Sequence, residues 1–372
     1  MNVGIPKEVK PQENRVAMIP SAVGELVRRG HRVFVQTAAG DGSSYTDSQY
    51  EAQGATIVAD AISVFEAADL IVKVKEPQPE EIQLLESRHI LFTYLHLAAS
   101  KTLTEGLTKS GCSAIAYETI EVDGRLPLLE PMSEIAGRMS SIVGSYHLAK
   151  HNGGRGILLG GVPGVAPGRV VVIGGGTAGV NAARVATGIG ADVTILEVDF
   201  ERMRFLDITM EGARTVFSSE ANLSELLNRV DLVIGAVLVP GARAPKLITR
   251  EMLRLMPEGS VFVDIAVDQG GCAETTRPTT HLAPTYTEEG VIHYCVANMP
   301  GAFARTATQA LSHVTQRWTG LLADEGLQDA SLKLPSLQTG INCHRGHLTC
   351  KPVAESHGLP YTPIEQALGI SD

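Results

Sequence analysis

The chain has 372 residues, about two domains' worth at roughly 100–200 residues per domain. Hydrophobic residues make up 44% and charged residues 19%, with 38 glycines and 19 prolines, a composition that builds turn-rich apolar cores and excludes wholesale disorder. A formal net charge of −10 argues against nucleic acid and anionic membranes as partners.

The opening Met1-Asn2-Val3-Gly4-Ile5-Pro6-Lys7-Glu8 has no basic stretch followed by a long apolar one, and no run approaches the length of a bilayer span. Five cysteines (Cys112, Cys272, Cys295, Cys343, Cys350) are scattered, odd in number and without a Cys-x-x-Cys pair, so no disulfide framework is expected. The expectation is a soluble, cytoplasmic protein.

Apolar runs of strand length alternate with helical patterns, which predicts mainly parallel sheets covered by helices. Strands are expected over 33–35, 70–74, 90–95 and 114–117, with helices over 21–29, 79–86 and 101–109. A helix over 133–151 and a glycine- and proline-rich stretch over 153–168 then mark a boundary. Beyond it come strands at 170–173, 193–196, 232–236, 261–266 and 292–296. A helix over 305–324 follows Met299-Pro300-Gly301, and the remaining tail is too short for its own core, so it is expected to rejoin the first series. The fold expected is α/β: two doubly wound Rossmann-like domains with a cleft between them, joined by the long connector helices. No internal sequence repeat, low-complexity tract or heptad is visible.

Strand 170–173 runs into Gly174-Gly175-Gly176-Thr177-Ala178-Gly179 and a helical Ala182-Ala183-Arg184-Val185-Ala186. In a strand–Gly-x-Gly-x-x-Gly–helix unit the first glycine permits the tight turn, the second lets backbone approach a pyrophosphate, and the third lets helix and strand pack closely. The helix N-terminus then faces the phosphates with unpaired N–H groups and its positive dipole end. Glu197 ends the next strand, 23 residues after Gly174, where an acid binds ribose hydroxyls and repels the extra phosphate of NADP. NAD is therefore the expected cofactor, although Arg202 and Arg204 nearby soften that exclusion. A solvated strand end is the alternative for Glu197.

Ligands of open α/β sheets bind beyond the carboxyl ends of strands. Lys75, His96 and Asp268 end expected strands there, and Arg15 lies in the loop after a short first strand. Cations that fix a carboxylate and polarise a carbonyl, plus a histidine shuttling protons near neutral pH, suit hydride transfer. Each has a plain alternative: Lys75 as a solvated lysine like its neighbour Lys73, His96 as a satisfied half-buried ring, Arg15 as a surface residue. Asp264 and Asp268 share one face of the expected strand, so spacing leaves open which of them approaches a substrate.

Longer blocks then carry a resemblance. Gly4-Ile5-Pro6-Lys7-Glu8, Asn14-Arg15-Val16, Val72-Lys73-Val74-Lys75-Glu76-Pro77, Leu91-Phe92-Thr93-Tyr94-Leu95-His96, Pro131-Met132-Ser133 and Gly160-Gly161-Val162-Pro163-Gly164-Val165 occur in this order. They are followed by Gly235-Ala236-Val237-Leu238-Val239-Pro240-Gly241, by 264–272 and by Val296-Ala297-Asn298-Met299-Pro300-Gly301. By these blocks nearly the whole chain resembles the alanine dehydrogenase and pyridine nucleotide transhydrogenase family. The resemblance implies reversible oxidative deamination of L-alanine to pyruvate and ammonia with NAD. It implies that Arg15 and Lys75 hold the substrate carboxylate and oxo group, and that His96 and Asp268 handle protons. For the cofactor it implies Ser133 near phosphate or ribose, the turn Gly174, Gly176, Thr177, Ala178 and Gly179, and Glu197 on the adenosine ribose. Arg202 and Ser219 would lie near the adenosine half, and Leu238, Val239, Ile265, Asp268, Asn298 and Met299 towards the nicotinamide. A split substrate domain is implied, with residues 1–130 as its first segment, 131–304 as the NAD-binding domain, and 305–372 as connector helix and return. The family likeness also implies a homohexamer.

Cys343-His344-Arg345-Gly346-His347-Leu348-Thr349-Cys350 departs from the family pattern and gathers soft ligands, but its spacing fits no standard zinc module; no metal is expected, and a surface loop or oligomer contact is the preferred reading. Two other functions compete with the enzyme: the soluble nucleotide-binding subunit of a proton-translocating transhydrogenase, and a catalytically silent NAD-binding regulator.

Overall fold

The computed structural model describes residues 1–237 and 244–370. It divides into two compact units, one made of Met1–Pro131 with Phe303–Asp372 and the other of Met132–Ala302.

The first unit carries β1 (Asn2–Ile5), β2 (Arg32–Gln36), β3 (Thr56–Val58), β4 (Leu70–Val72), β5 (Ile90–Thr93) and β6 (Ser113–Ala116). The second carries β7 (Arg169–Ile173), β8 (Asp192–Glu197), β9 (Ala213–Phe217), β10 (Leu232–Gly235), β11 (Val261–Asp264), β12 (Thr285–Glu288) and β13 (Val291–Tyr294). β14 (Ile341–His344) and β15 (His347–Leu348) come from the tail, and β14 pairs antiparallel with β6.

Among the described residues the sheets run β15-β14-β6-β5-β4-β1-β2-β3 and β12-β13-β11-β10-β7-β8-β9. Apart from the pairs β6–β14, β14–β15 and β12–β13, which are antiparallel, neighbouring strands are parallel. The first sheet contains the doubly wound order 3-2-1-4-5-6; the second runs 3-2-1-4-5 and continues through β13 to β12 at its edge, and direction reverses at β1/β4 in the first and at β7/β10 in the second.

Burial on both faces explains the unbroken apolar runs of the central strands. In the second unit Val170, Val172, Ile234 and Val261 pack with Ala182, Ala183 and Ala186 of helix Thr177–Gly188. The alternating residues Val171, Ile173, Val233 and Phe262 pack with Leu223, Leu227 and Met252 instead. In the first unit Ile71, Leu91 and Ala114 meet Val64, Phe65, Leu103 and Leu107.

Helix Lys101–Ser110 starts where the Ser100 side chain accepts the Leu103 N–H and stops at left-handed Gly111. The long helices span Glu130–His147 and Ala304–Lys333, the latter interrupted by non-helical Gly326. The first ends short of residue 151, because a separate turn, Lys150–Asn152, closes on left-handed Gly153. Six strands, β4, β5, β6, β10, β11 and β13, also end one or two residues earlier than their apolar patterns suggest. β4 stops at Val72, β5 at Thr93 and β11 at Asp264, so Lys75, His96 and Asp268 sit in the segments that follow rather than on strands.

Candidate active site

Arg15 and Lys75 follow β1 and β4, the two strands that flank the switch point of the first sheet. Parallel strands on either side of a reversal send their loops in opposite directions, which leaves a crevice at their carboxyl ends. The Arg15 loop is pinned from the helix Ala304–Lys333: Val16 N–H donates to Thr308 Oγ1 at 3.1 Å and Ile19 N–H to Ser312 Oγ at 3.1 Å.

Arg15 is buried and grips Glu13, with Nε to Oε1 at 2.7 Å and Nη2 to Oε2 at 2.6 Å. It is therefore no surface residue, and one edge of its guanidinium belongs to Glu13. Lys75 is 7% exposed and acts on the same carboxylate electrostatically. Lys73, two positions earlier, is not the solvated lysine its place suggests. Its ammonium is fully buried, 2.7 Å from Glu81 Oε1 and 3.3 Å from Glu8 Oε2.

Burial alone would raise the Glu13 pKa, but the charge and hydrogen bonds of Arg15, with help from Lys75, overcome it and hold the carboxyl at about 2. A depressed carboxylate stabilises the folded state above its ordinary pKa near 4.5 and loses that contribution as pH falls through its folded value. The shift corresponds to about 3 kcal/mol. Denaturant unfolding of the parent and of Glu13→Gln should differ by about this amount at pH 7, the gap narrowing from about pH 4.5 towards 2. A gap that does not change with pH would exclude this ion pair as its source.

His96 follows β5, the neighbour of β4, in left-handed backbone (φ 49°). Glu118 holds that turn, accepting the His96 N–H at 2.6 Å and the Leu95 N–H at 3.1 Å with Oε1, which also lies 3.8 Å from His96 Nδ1. The imidazole lies parallel to the Tyr94 ring with centroids 5.9 Å apart, and its side chain is 38% exposed. A half-exposed ring on a rigid backbone can exchange protons without moving the main chain.

In the second unit the glycine turn follows β7 at the β7/β10 switch point. Gly174 has φ +98°, and a Cβ at Gly179 would run into the Gly174 carbonyl oxygen, so helix and turn meet at a distance only glycine allows. At Gly176, by contrast, a Cβ would meet nothing within 4 Å. That open, exposed backbone at the start of the helix Thr177–Gly188 fits the phosphates of a dinucleotide. Thr177 is the first residue of that helix; the Ala178 carbonyl leaves no room for a side chain at Gly137, where the helix Glu130–His147 crosses closely.

Glu197 ends β8 and is oriented by backbone. Its Oε2 accepts the Gly175 N–H at 2.8 Å and its Oε1 the Val198 N–H at 2.7 Å. Arg202 Nε donates to the Gly175 carbonyl at 2.7 Å, which ties the helix Phe200–Thr209 to the turn. Ser219 caps the helix Glu220–Leu227 by accepting the Asn222 N–H, and Ser133 is half-buried in the first turns of its helix.

Asp264 and Asp268 do not share a strand face. Asp264 is completely buried and accepts from Ala266 N–H (3.0 Å), Cys272 N–H (2.9 Å) and Thr276 Oγ1 (2.6 Å), capping the short turn Ile265–Gln269. Asp268 stands exposed on that turn, and Ile265 at its start is half-buried. Asn298 is left-handed (φ 71°), whereas Met299 is 3% exposed within the hydrophobic core of its unit. Leu238 and Val239 lie outside the described residues.

The segment 343–350 is not a surface loop. It forms the β14–β15 hairpin around left-handed Arg345 and Gly346, with Cys343 in the core, His344 Nδ1 2.9 Å from Ser113 Oγ, and His347 beside Thr362. Among the described residues no group of three or more His, Cys, Asp or Glu is placed to hold a metal ion, and no helix is long and apolar enough to cross a membrane.

Sequence reasoning singled out Arg15, Lys75 and His96 but missed the carboxylates around them: Glu13 on Arg15, Glu118 behind His96, and Glu8 and Glu81 on the neighbouring Lys73. One signal was available: Gln78-Pro79-Glu80-Glu81 has the spacing of a capping box, and Glu81 does accept the Gln78 N–H at 2.8 Å.

Two sheets of this order, one with a glycine turn at its switch point, define a doubly wound α/β protein of Rossmann type. Family models described as Alanine dehydrogenase/PNT, N-terminal domain and C-terminal domain match residues 4–136 and 140–351. The chain belongs to the alanine dehydrogenase/PNT family. The alanine dehydrogenase of Halomonas elongata is 54% identical over 371 residues, 99% of this chain and 100% of that protein. A solved L-alanine dehydrogenase structure superposes with a TM-score of 0.91 at 46% identity, covering 96% of this chain and 99% of that one. A transhydrogenase from Sinorhizobium meliloti gives 0.79 at 25% identity, covering 94% and 99%.

Proposed function

We propose that this chain is an alanine dehydrogenase, catalysing the reversible NAD-dependent oxidative deamination of L-alanine to pyruvate and ammonia. One observation carries the reading: a chain matching alanine dehydrogenases over its whole length gathers Arg15, Lys75 and His96 beyond the carboxyl ends of three successive strands of one sheet, β1, β4 and β5. The oxidoreductase acts on small molecules; it works in the cytoplasm as a homohexamer and serves alanine catabolism, readings supported by the family likeness.

The residues divide the work. Arg15 and Lys75 bind the substrate carboxylate and oxo group. Because Glu13 holds the Nε and Nη2 edge of Arg15, the guanidinium is oriented before substrate arrives, and a substrate carboxylate cannot take that edge without displacing Glu13. His96 and Asp268 accept and return protons as water adds and ammonia leaves. Bound NAD supplies the hydride acceptor. Gly174, Gly176, Thr177, Ala178 and Gly179 present backbone to its phosphates, and Glu197 takes the adenosine ribose, with Arg202 and Ser219 beside the adenosine half. Ser133 completes the phosphate or ribose side, and Leu238, Val239, Ile265, Asp268, Asn298 and Met299 lie towards the nicotinamide.

The test is formation of reduced nicotinamide from L-alanine at alkaline pH with NAD and, separately, NADP. NADH is expected, with NADP slower by at least about tenfold, the factor that 1.4 kcal/mol of repulsion by Glu197 would give. Protein that binds NADH yet turns over nothing with either cofactor would shift the assignment to a transhydrogenase-like or regulatory role.

A further inference from the structure

We propose that Glu8 and Lys73 are positioning residues that hold Lys75 in the substrate site; the inference rests on the reading above, in which Lys75 grips the substrate. β4 ends at Val72, so residues 73–76 leave the sheet while still having to place a buried ammonium. The two peptide carbonyls flanking the Lys75 Cα are both held from β5 and the residue after it: Val74 O accepts the Tyr94 N–H at 3.2 Å, and Lys75 O accepts Thr93 Oγ1 at 2.9 Å. One residue earlier the ladder has no backbone partner to offer. There Glu8 Oε1 accepts the Val74 N–H at 2.7 Å.

Glu8 is itself fixed. Its Oε2 accepts from Lys73 Nζ, which donates to Glu81 Oε1, and Glu81 Oε2 closes on the Gln78 N–H at 2.8 Å. The chain of bonds therefore runs from the loop after β1, through the core, to both ends of the segment that carries Lys75. Side-chain exposures of 0%, 3% and 5% for Lys73, Glu8 and Glu81 put all three charges out of water. Burial opposes the charged form of Lys73, but the two carboxylates keep its pKa raised. Burying three charges is costly, and well-packed apolar residues often replace such groups without loss of stability. What an apolar trio cannot do is accept the Val74 N–H in a fixed direction.

The test compares parent, Glu8→Ala and Glu8→Gln in the pyruvate, ammonia and NADH direction, with NADH binding followed by fluorescence and folding by thermal melt. Glu8→Ala should raise the pyruvate KM by about tenfold or more while the NADH dissociation constant stays within about twofold, the split expected when one substrate's contacts are disturbed. Glu8→Gln keeps an acceptor for Val74 but loses the ion pair, and should fall between parent and Glu8→Ala. A folded Glu8→Ala with parental pyruvate KM and kcat overturns the proposal, as does parallel loss of pyruvate binding, NADH binding and melting temperature. If Glu8→Ala does not fold, Glu8→Gln decides, and a parental pyruvate KM overturns the proposal. A parent that binds NADH but does not reduce pyruvate overturns the functional reading itself, and this inference with it.

Discussion

Replacing His96 by alanine should lower turnover by on the order of 10²–10⁴, the usual contribution of a positioned acid–base group, with NADH binding unchanged. The structure makes this a clean experiment. The backbone of His96 is held by Glu118 through the N–H groups of residues 95 and 96, contacts that do not involve the imidazole. An alanine at left-handed φ costs roughly 1 kcal/mol, so the variant should melt a few degrees lower and no more. Because the ring is partly exposed, its loss leaves no sealed cavity. Turnover rates in both directions, measured beside an NADH titration, check the result; undiminished turnover removes His96 from the chemistry.

The second large effect separates two aspartates four residues apart. Asp264→Ala should destabilise the second unit by on the order of 3 kcal/mol or more, because two backbone N–H groups and the Thr276 hydroxyl lose a buried acceptor at about 1–3 kcal/mol each. Asp268→Ala removes an exposed carboxylate and should leave unfolding unchanged while turnover falls by about 10² or more. Denaturant midpoints and kcat for the two variants form a two-by-two comparison. If Asp264→Ala proves stable and Asp268→Ala fully active, the reading of this turn is wrong.

Most of the strands visible in the sequence are buried on both faces, β2 with its half-exposed Phe34 being an exception. Runs such as Val170 to Ile173 and Leu232 to Gly235 are apolar throughout because helices cover both sides. Five strands went unseen, β3, β9, β12, β14 and β15, and their residues explain why. β12 reads Thr-Tyr-Thr-Glu at a sheet edge, and β14 reads Ile-Asn-Cys-His, its buried polar side chains satisfied by Thr119 and Ser113. A buried asparagine looks like a loop residue until its partner, 223 positions away, is known. Of the candidate site, only part was legible. Places at the ends of apolar runs singled out Lys75 and His96, and Arg15 stood out in the loop after the short first strand. The carboxylates around them were not singled out: Glu8 meets the neighbouring Lys73 across 65 residues, a range that leaves no spacing to read, and Glu13, two residues before Arg15, reads as part of an ordinary charged loop.

The discontinuity of the first unit bears on how the chain is made. Its sheet extends to β14, and its Arg15 loop hangs on Thr308 and Ser312, 292 and 293 residues downstream of their partners. The second unit is a single uninterrupted stretch. A ribosome therefore releases everything the second unit needs before the first unit can close, which inverts the usual N-terminal-first order of co-translational folding. The amino-terminal strands wait with an open edge at β6 through the synthesis of the second unit and the helix after it, until β14 at Ile341, an interval in which a chaperone or a neighbouring nascent chain can compete for that edge. Limited proteolysis of ribosome-stalled chains ending shortly after the second unit should find that unit protected and the first cleaved; protection of both would show that the early strands close without the tail.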